Sequence, residues 1–331
     1  MPDVCFQPNR ESTPLAPDLV RGIELLAAEV ASFDGVAALS EASLLALPGD
    51  GDGDGDGEGD GSAEVVHLTL ADNRLVGYAQ LRREGTEFGP AELLVHPDSR
   101  ECGRGTALLA VALAEGAAGA WAHGQLPAAM AVGTAAGLVV QRTLLLLSRE
   151  VAGLPAAGPA PAGFAIRGYR GDTDDEAVLR VNARAFVELP DQGSWRRSDL
   201  RARMGEPWFD PAGLLLLTAP VETPGNGDHV VGFHWTKATS ATEGEVYVIA
   251  VDPAWHGHGL GRYLLLAGLD RLRDVGVGLV SLYCDGANTA ALRLYESMGF
   301  QVERTDVVLA RPGQHHASAA HRGPASGRLG A

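Results

Sequence analysis

Two stretches of the chain, 156 residues apart, align without a gap: Leu94 to Leu109 reads LVHPDSRECGRGTALL and Ala250 to Leu265 reads AVDPAWHGHGLGRYLL. Each runs from an apolar strand end through an x-Pro turn and a glycine-rich loop into an apolar run of helical spacing. A turn of this kind aims backbone N–H groups at the start of the following helix, where unpaired donors and the helix dipole favour an anion. One such turn is also an ordinary strand-to-helix joint. Its recurrence in the same context in both halves makes it part of a duplicated fold, so the chain is expected to form two related α/β modules in tandem. Two familiar phosphate loops do not match. No G-x-x-x-x-G-K-[ST] occurs, and GHGLGR lacks both the third glycine and the acidic residue that a dinucleotide fold carries further on.

The second half reads as a mixed sheet. HVVGFHWTKAT and EGEVYVIAV have the β-branched and aromatic content of strands. RYLLLAGLDRLRDVG is helical and ends at Gly276, GLVSLYCD is a strand, NTAALRLYESMG is a helix closed by Gly299, and FQVERTDVVLA is a last strand. The expected class is α/β with mixed (α+β) sheets. Gly153 to Gly163, GLPAAGPAPAG, reads as a linker with nothing to pack. It divides the chain into an amino-terminal module 1–152 and a second module 164–312, followed by a disordered tail 313–331. Gly49 to Gly61 alternates glycine with six acidic residues, which builds neither core nor helix and reads as a flexible, solvated loop. A calcium-binding repeat is the alternative, but no strand-forming positions punctuate it.

Composition narrows the function classes. A net charge of −16 over 331 residues, with no basic cluster, argues against nucleic acid and against an anionic membrane surface. Cys5, Cys102 and Cys284 are far apart and lack metal-ligand spacing, so neither a disulfide framework nor a metal site is expected, and a reducing cytoplasm fits. No apolar run has signal-peptide or membrane-spanning length. The chain holds 25 arginines and a single lysine, Lys237; a lysine retained against such a bias is either chance or one whose compact ammonium matters.

RECGRG, Arg100 to Gly105, resembles the R/Q-x-x-G-x-G/A signature of the GCN5-related N-acetyltransferase superfamily, and HGHGLG, His256 to Gly261, resembles it in its glycines while carrying His256 where Arg or Gln is usual. NTAALRLYESMGF is similar to the superfamily's next signature. The tandem arrangement, with DGVAALSE near the start and FHWTK and GEVYVIAVDP in the second half, resembles the branch that acetylates a cysteinyl–glucosaminyl–inositol, a pseudo-disaccharide thiol. The resemblance implies acetyl-CoA as co-substrate. In the first module it would be held by Leu93, Leu94, Val95, Arg100, Glu101, Cys102, Gly103, Arg104, Gly105 and Thr106. In the second it would be held by Ile249, Ala250, Val251, His256, Gly257, His258, Gly259, Leu260, Gly261, Arg262, Asn288, Thr289, Ala290, Ala291, Leu292 and Arg293. It also implies a monomer in which Glu41, Asp191, Lys237, Glu245 and Tyr283 hold the thiol substrate, Glu245 accepts the amine proton and Tyr295 protonates the departing thiolate.

Carrying the repeat offset back from Glu245 reaches Gly89, and aligning SMGF with AAGL sets Leu126 opposite Asn288 and Gly133 opposite Tyr295. The first module therefore keeps the anion loop without the acid or the base, and is expected to bind but not to turn over. Two other readings stay open. One is an N-acetyltransferase for a protein N-terminus or an aminoglycoside, and the other is an acyl-CoA-binding module without catalysis.

Overall fold

The computed structural model describes residues 6–47, 64–84, 87–187, 189–220 and 229–313. The Gly-Asp loop and the tail beyond residue 313 lie outside the described residues. The chain forms two compact units, Met1–Leu144 with Arg304–Ala331, and Leu145–Glu303.

The first unit contains β1 (Asn9–Arg10), α1 (Pro17–Asp34), α2 (Glu41–Leu45), β2 (Val65–Asp72), β3 (Arg74–Glu84), β4 (Glu87–Phe88), β5 (Glu92–Val95), α3 (Arg104–Ala114), β6 (Gly119–Ala122) and α4 (Pro127–Ala135). Then β7 (Val139–Glu150) crosses the division between the units. Proline in its first turn opens α1, and Gly35 at φ +69° closes it. Strands β2, β3 and β5 pair antiparallel. Tyr78 and Leu94 pack with Ile23, Leu26 and Val30 of α1, whereas Ala79 and Leu81 pack with Leu108 and Ala112 of α3. The alternation of β3 thus seats one helix on each face.

The second unit continues with β8 (Ala165–Gly168), α5 (Asp175–Ala185), α6 (Pro190–Gly193), α7 (Arg197–Met204), β9 (Leu214–Ala219), β10 (His229–Ala238), β11 (Glu243–Val251), α8 (Leu260–Asp274), β12 (Leu279–Asp285), α9 (Thr289–Ser297) and β13 (Gln301–Ala310). The order β8-β9-β10-β11 is antiparallel throughout, and β12 joins β11 in parallel. Between its ends β10 is buried on both faces, which is why HVVGFHWTKA reads as a near-continuous apolar run. Phe233, Trp235, Tyr247 and Val248 meet Val178 and Val181 of α5 and Leu200 of α7. Val246, Val280, Leu282 and Cys284 meet α8 and α9 through Leu265, Leu269 and Tyr295.

Two features differ from the expected organisation. The last strand is not confined to the second unit: Val307–Ala310 pairs antiparallel with β6, and the approach is so close that a Cβ on Gly119 would stand 2.1 Å from the Leu309 carbonyl oxygen. The linker also packs. Leu154 is buried in the α8 core, and the Ala157 N–H donates to Asp270 at 2.8 Å, so this stretch has an apolar anchor and a satisfied backbone.

Candidate active site

The repeated loops share one backbone conformation. Glu101 (φ +61°) and Gly103 (φ +87°) of the first loop match Gly257 (φ +82°) and Gly259 (φ +73°) of the second. Only glycine enters this left-handed region freely, so Glu101 holds it under strain. Gly103 and Gly259 are the N-cap residues of α3 and α8, and neither helix carries a side-chain cap or an acidic residue in its first turn. At neither helix start does a capping side chain compete for the first N–H donors, the environment that favours an anion.

The first residue of each signature does a different job from the one expected of an anion ligand. Arg100 donates through Nε to the Val95 carbonyl at 3.0 Å and bidentately to Asp34 at 2.7 Å and 2.7 Å. His256 repeats the first of these bonds, with Nε2 2.9 Å from the Val251 carbonyl. Since a carbonyl can only accept, Nε2 carries the proton. A histidine can replace the usual Arg or Gln because the position braces the loop against the strand end. His96 and Asp252, one step before each Pro, both accept a turn N–H, from Asp98 at 3.2 Å and Ala254 at 3.0 Å. Each loop is also tied to the end of its unit's first long helix, with opposite polarity: Arg100 to Asp34 of α1, and Asp252 to Arg184 of α5 at 2.9 Å. The remaining side chains of the first loop are engaged locally. Arg104 donates to Cys102 Sγ and Asp72, each at 2.8 Å, and the Cys102 thiol to the Ser99 carbonyl at 3.1 Å.

Beyond the second loop, β11 and β12 pair only over Glu243–Glu245 against Leu279–Ser281. From there Val246 to Val251 run on along β10, and Ile249, Ala250 and Val251 lie beyond the last β11–β12 pair. The β10 register slips by one residue so that Trp235 opposes Val248 and Thr236 opposes Val246, leaving Tyr247 as a bulge. A bulge just past the end of the β12 pairing redirects side chains, and no local sequence signal marked it.

Glu245 stands directly opposite Lys237 on β10, and both are buried. They share the sheet face that packs on α5 and α7. Half-buried Tyr283 lies two residues beyond Ser281, the parallel partner of Glu245, and so faces the same way. Tyr295 comes from α9 on the opposite face, within the apolar cluster of Cys284, Met298 and Phe300. Burial, and then the neighbouring Cys284, push its phenol well above the usual tyrosine range, so it remains a proton donor at neutral pH. Burial likewise pushes the Cys284 thiol up to about 12. Glu245 and Tyr295 thus lie on opposite faces of the sheet. Asn288 caps α9, its side-chain oxygen accepting the Ala291 N–H at 3.1 Å, and Thr289 to Arg293 form the first turns of that helix. Asp191 lies in α6, its side chain outside the described residues.

In the first unit the position corresponding to Tyr295 is closed. A Cβ on Gly133 would lie 2.4 Å from Cδ1 of Leu309, so the returning strand fills the space a tyrosine would need. Glu41, the first residue of α2, is buried, and the Ser40 N–H before it donates to Glu92 Oε2 at 2.7 Å. Glu92 belongs to a buried charge cluster that sequence reasoning missed. His123 sits between Glu92 at 3.8 Å and Asp306 at 3.6 Å, stacked on Trp121. Asp306 accepts the Gly124 N–H at 2.6 Å. The three residues come from separate strands and loops with no spacing to betray them.

Residues 179–300 match the acetyltransferase (GNAT) family. A protein of Thermomonospora curvata named mycothiol acetyltransferase is 44% identical over 295 residues, covering 88% of this chain and 93% of the relative. One of the same name from Rhodococcus jostii is 44% identical over 289 residues, covering 84% and 90%. A solved tandem GNAT protein from the clavulanic acid biosynthesis pathway superposes with a TM-score of 0.63 at 20% identity, covering 92% of this chain and 96% of that one. At that identity the likeness speaks for the tandem fold.

Proposed function

This chain belongs to the mycothiol acetyltransferase family of tandem GNAT proteins, and from that premise we propose that it moves the acetyl group of acetyl-CoA onto the cysteinyl amine of a cysteinyl–glucosaminyl–inositol, giving mycothiol. The observation that carries the reading is the end of β11–β12 pairing at Glu245, with Glu245 on one sheet face and Tyr295 on the other. The loop before α8 holds the pyrophosphate through backbone N–H groups, and the free edge of Ile249, Ala250 and Val251 holds the pantetheine arm. Glu245 takes a proton from the attacking amine as nitrogen bonds to the carbonyl carbon, and a β11 N–H steadies the charge on the carbonyl oxygen. The carbon–sulfur bond then breaks and Tyr295 gives its proton to the CoA sulfur. Lys237 and Tyr283, on the acceptor face, offer hydrogen bonds to the polyol hydroxyls. Glu41 and Asp191 complete the substrate set by resemblance.

The first unit binds acetyl-CoA through its matching loop and does not turn it over, since Gly89 and Gly133 supply neither acid nor base. Acetyl transfer from acetyl-CoA to the desacetyl thiol, measured beside an aminoglycoside and a set of peptide N-termini, tests the assignment. Transfer confined to the thiol substrate is expected. Transfer to a peptide or an aminoglycoside with the thiol left untouched would refute it.

A further inference from the structure

The single lysine of this arginine-rich chain is enclosed by aromatic rings. Its ammonium nitrogen lies 4.4 Å from the centre of the Trp208 ring and 5.2 Å from that of Tyr247. The two rings meet at 61° with centres 4.6 Å apart, forming a corner that opens on Lys237. Trp208 is braced from behind by Trp235 at 5.8 Å. Tyr247 is the bulged residue of β11, and Lys237 is the strand partner of Glu245. Trp208 belongs to neither strand; it comes from the segment between α7 and β9.

We propose that Trp208 is a positioning residue for the transfer reaction: its ring face, with that of Tyr247, holds the Lys237 ammonium in place beside Glu245 to receive the hydroxyl-bearing end of the acceptor. The proposal rests on the reading of Lys237 as a substrate residue. The negative faces of aromatic rings attract a cation, most strongly when it is shielded from water, and Lys237 is 7% exposed. A corner of two rings suits a compact ammonium. A flat guanidinium stacks on one face at a time, which gives a physical reason for lysine at this one position. The buried indole Nε1 of Trp208 has no hydrogen-bond partner among the described residues. The face of the ring, and not its polar edge, is therefore the part in use.

The experiment compares Trp208→Leu, Trp208→Phe, Lys237→Ala and the double variant Trp208→Leu/Lys237→Ala in the full chain, with kcat and KM for each substrate and a melting curve for each protein. Trp208→Leu is expected to raise the acceptor KM about 3- to 30-fold, the span of a shielded cation–ring contact, with the acetyl-CoA KM within about twofold. Trp208→Phe keeps a ring face and should stay close to wild type. The double variant should be no worse than Lys237→Ala alone. A wild-type acceptor KM in Trp208→Leu while Lys237→Ala raises it overturns the proposal and leaves Lys237 in its role. A wild-type KM in Lys237→Ala overturns the substrate role of Lys237 and the proposal with it. Equal losses in Trp208→Phe and Trp208→Leu also overturn it, by assigning the effect to the indole N–H.

Discussion

Asp306→Asn removes one of the two carboxylates that hold the His123 imidazolium inside the first unit. Burial alone would lower the histidine's pKa, but the flanking Asp306 and Glu92 outweigh it and raise the group to about 9. Relative to an ordinary histidine near 6.5, and at about 1.4 kcal/mol per pH unit, the protonated cluster is worth about 3 kcal/mol. Because the folded value is the higher one, this stability is fully present below pH 6.5 and is lost as pH rises through 9. Asp306 works in the opposite sense. Burial would raise its pKa, yet His123 and then Arg304 hold it below the usual carboxylate range, so its contribution is present above about pH 4 and fades as the carboxylate is protonated. The amide introduced by the substitution can still accept the Gly124 N–H, but Glu92 remains as the single counter-charge. The expected loss is about 2–3 kcal/mol, at or below the low end for breaking a buried ion pair, because Glu92 still faces the imidazolium. For a unit of this size that is roughly 4–12 °C of melting temperature. Calorimetric melting from pH 5 to 9.5 should show the wild-type transition falling between pH 6.5 and 9, and the variant starting lower with a flatter decline. A drop under about 2 °C at pH 6, against that roughly 4–12 °C, or a wild-type transition that rises from pH 6.5 to 9, would refute the reasoning.

Three further outcomes are expected. Tyr295→Phe removes the proton donor while keeping the ring against Phe300, so turnover should fall about 10- to 1,000-fold with little change in acetyl-CoA affinity; steady-state kinetics at neutral pH show this, and wild-type turnover would end the assignment. Glu101→Gly relieves a left-handed backbone and removes a negative side chain from the first loop. Against the extra entropy of glycine it should raise melting by about 1–4 °C, and a lower melting temperature would contradict the strain argument. Gly103→Glu places a side chain at φ +87° and a charge at the start of α3, so calorimetric titration with acetyl-CoA should fall from two sites per chain to one while most turnover survives; one site in the wild type, purified free of ligand, would leave the first unit a scaffold.

Most of the second unit's elements were legible because they depend on short-range rules. Val251 to Leu264 reads as strand, turn and helix from its own residues, and Gly276 and Gly299 do close their helices at φ +93° and +82°. The bulge at Tyr247 was not legible, since the chain on each side of it alternates normally and only the β10 register reveals the extra residue. Gly268 makes the same point inside α8. By propensity it weakens the helix, yet a Cβ there would stand 2.0 Å from the buried ring of His234, a residue on a different strand. Neither neighbour is visible within a sequence window.

By itself the sequence determined that two α/β units are repeated, that each carries a glycine-rich strand-to-helix loop at a matching place, and that the second keeps a carboxylate and a phenol the first lacks. These follow from glycine spacing, apolar period and residue identity, which act over a few residues or compare like with like. Only the tertiary structure decided that Arg100 and His256 brace their strand ends, and that the two helix ties carry opposite charges. It also showed Leu309 of the last strand filling the place of a tyrosine in the first unit, and the one lysine held in a corner of rings. Apart from the two strand-end bonds, which span five residues, each of those depends on which residues, about ten to nearly two hundred positions apart, share a sheet edge or a helix face. Chain packing settles that, because burial rewards any partner of the right shape and charge wherever it lies in the sequence.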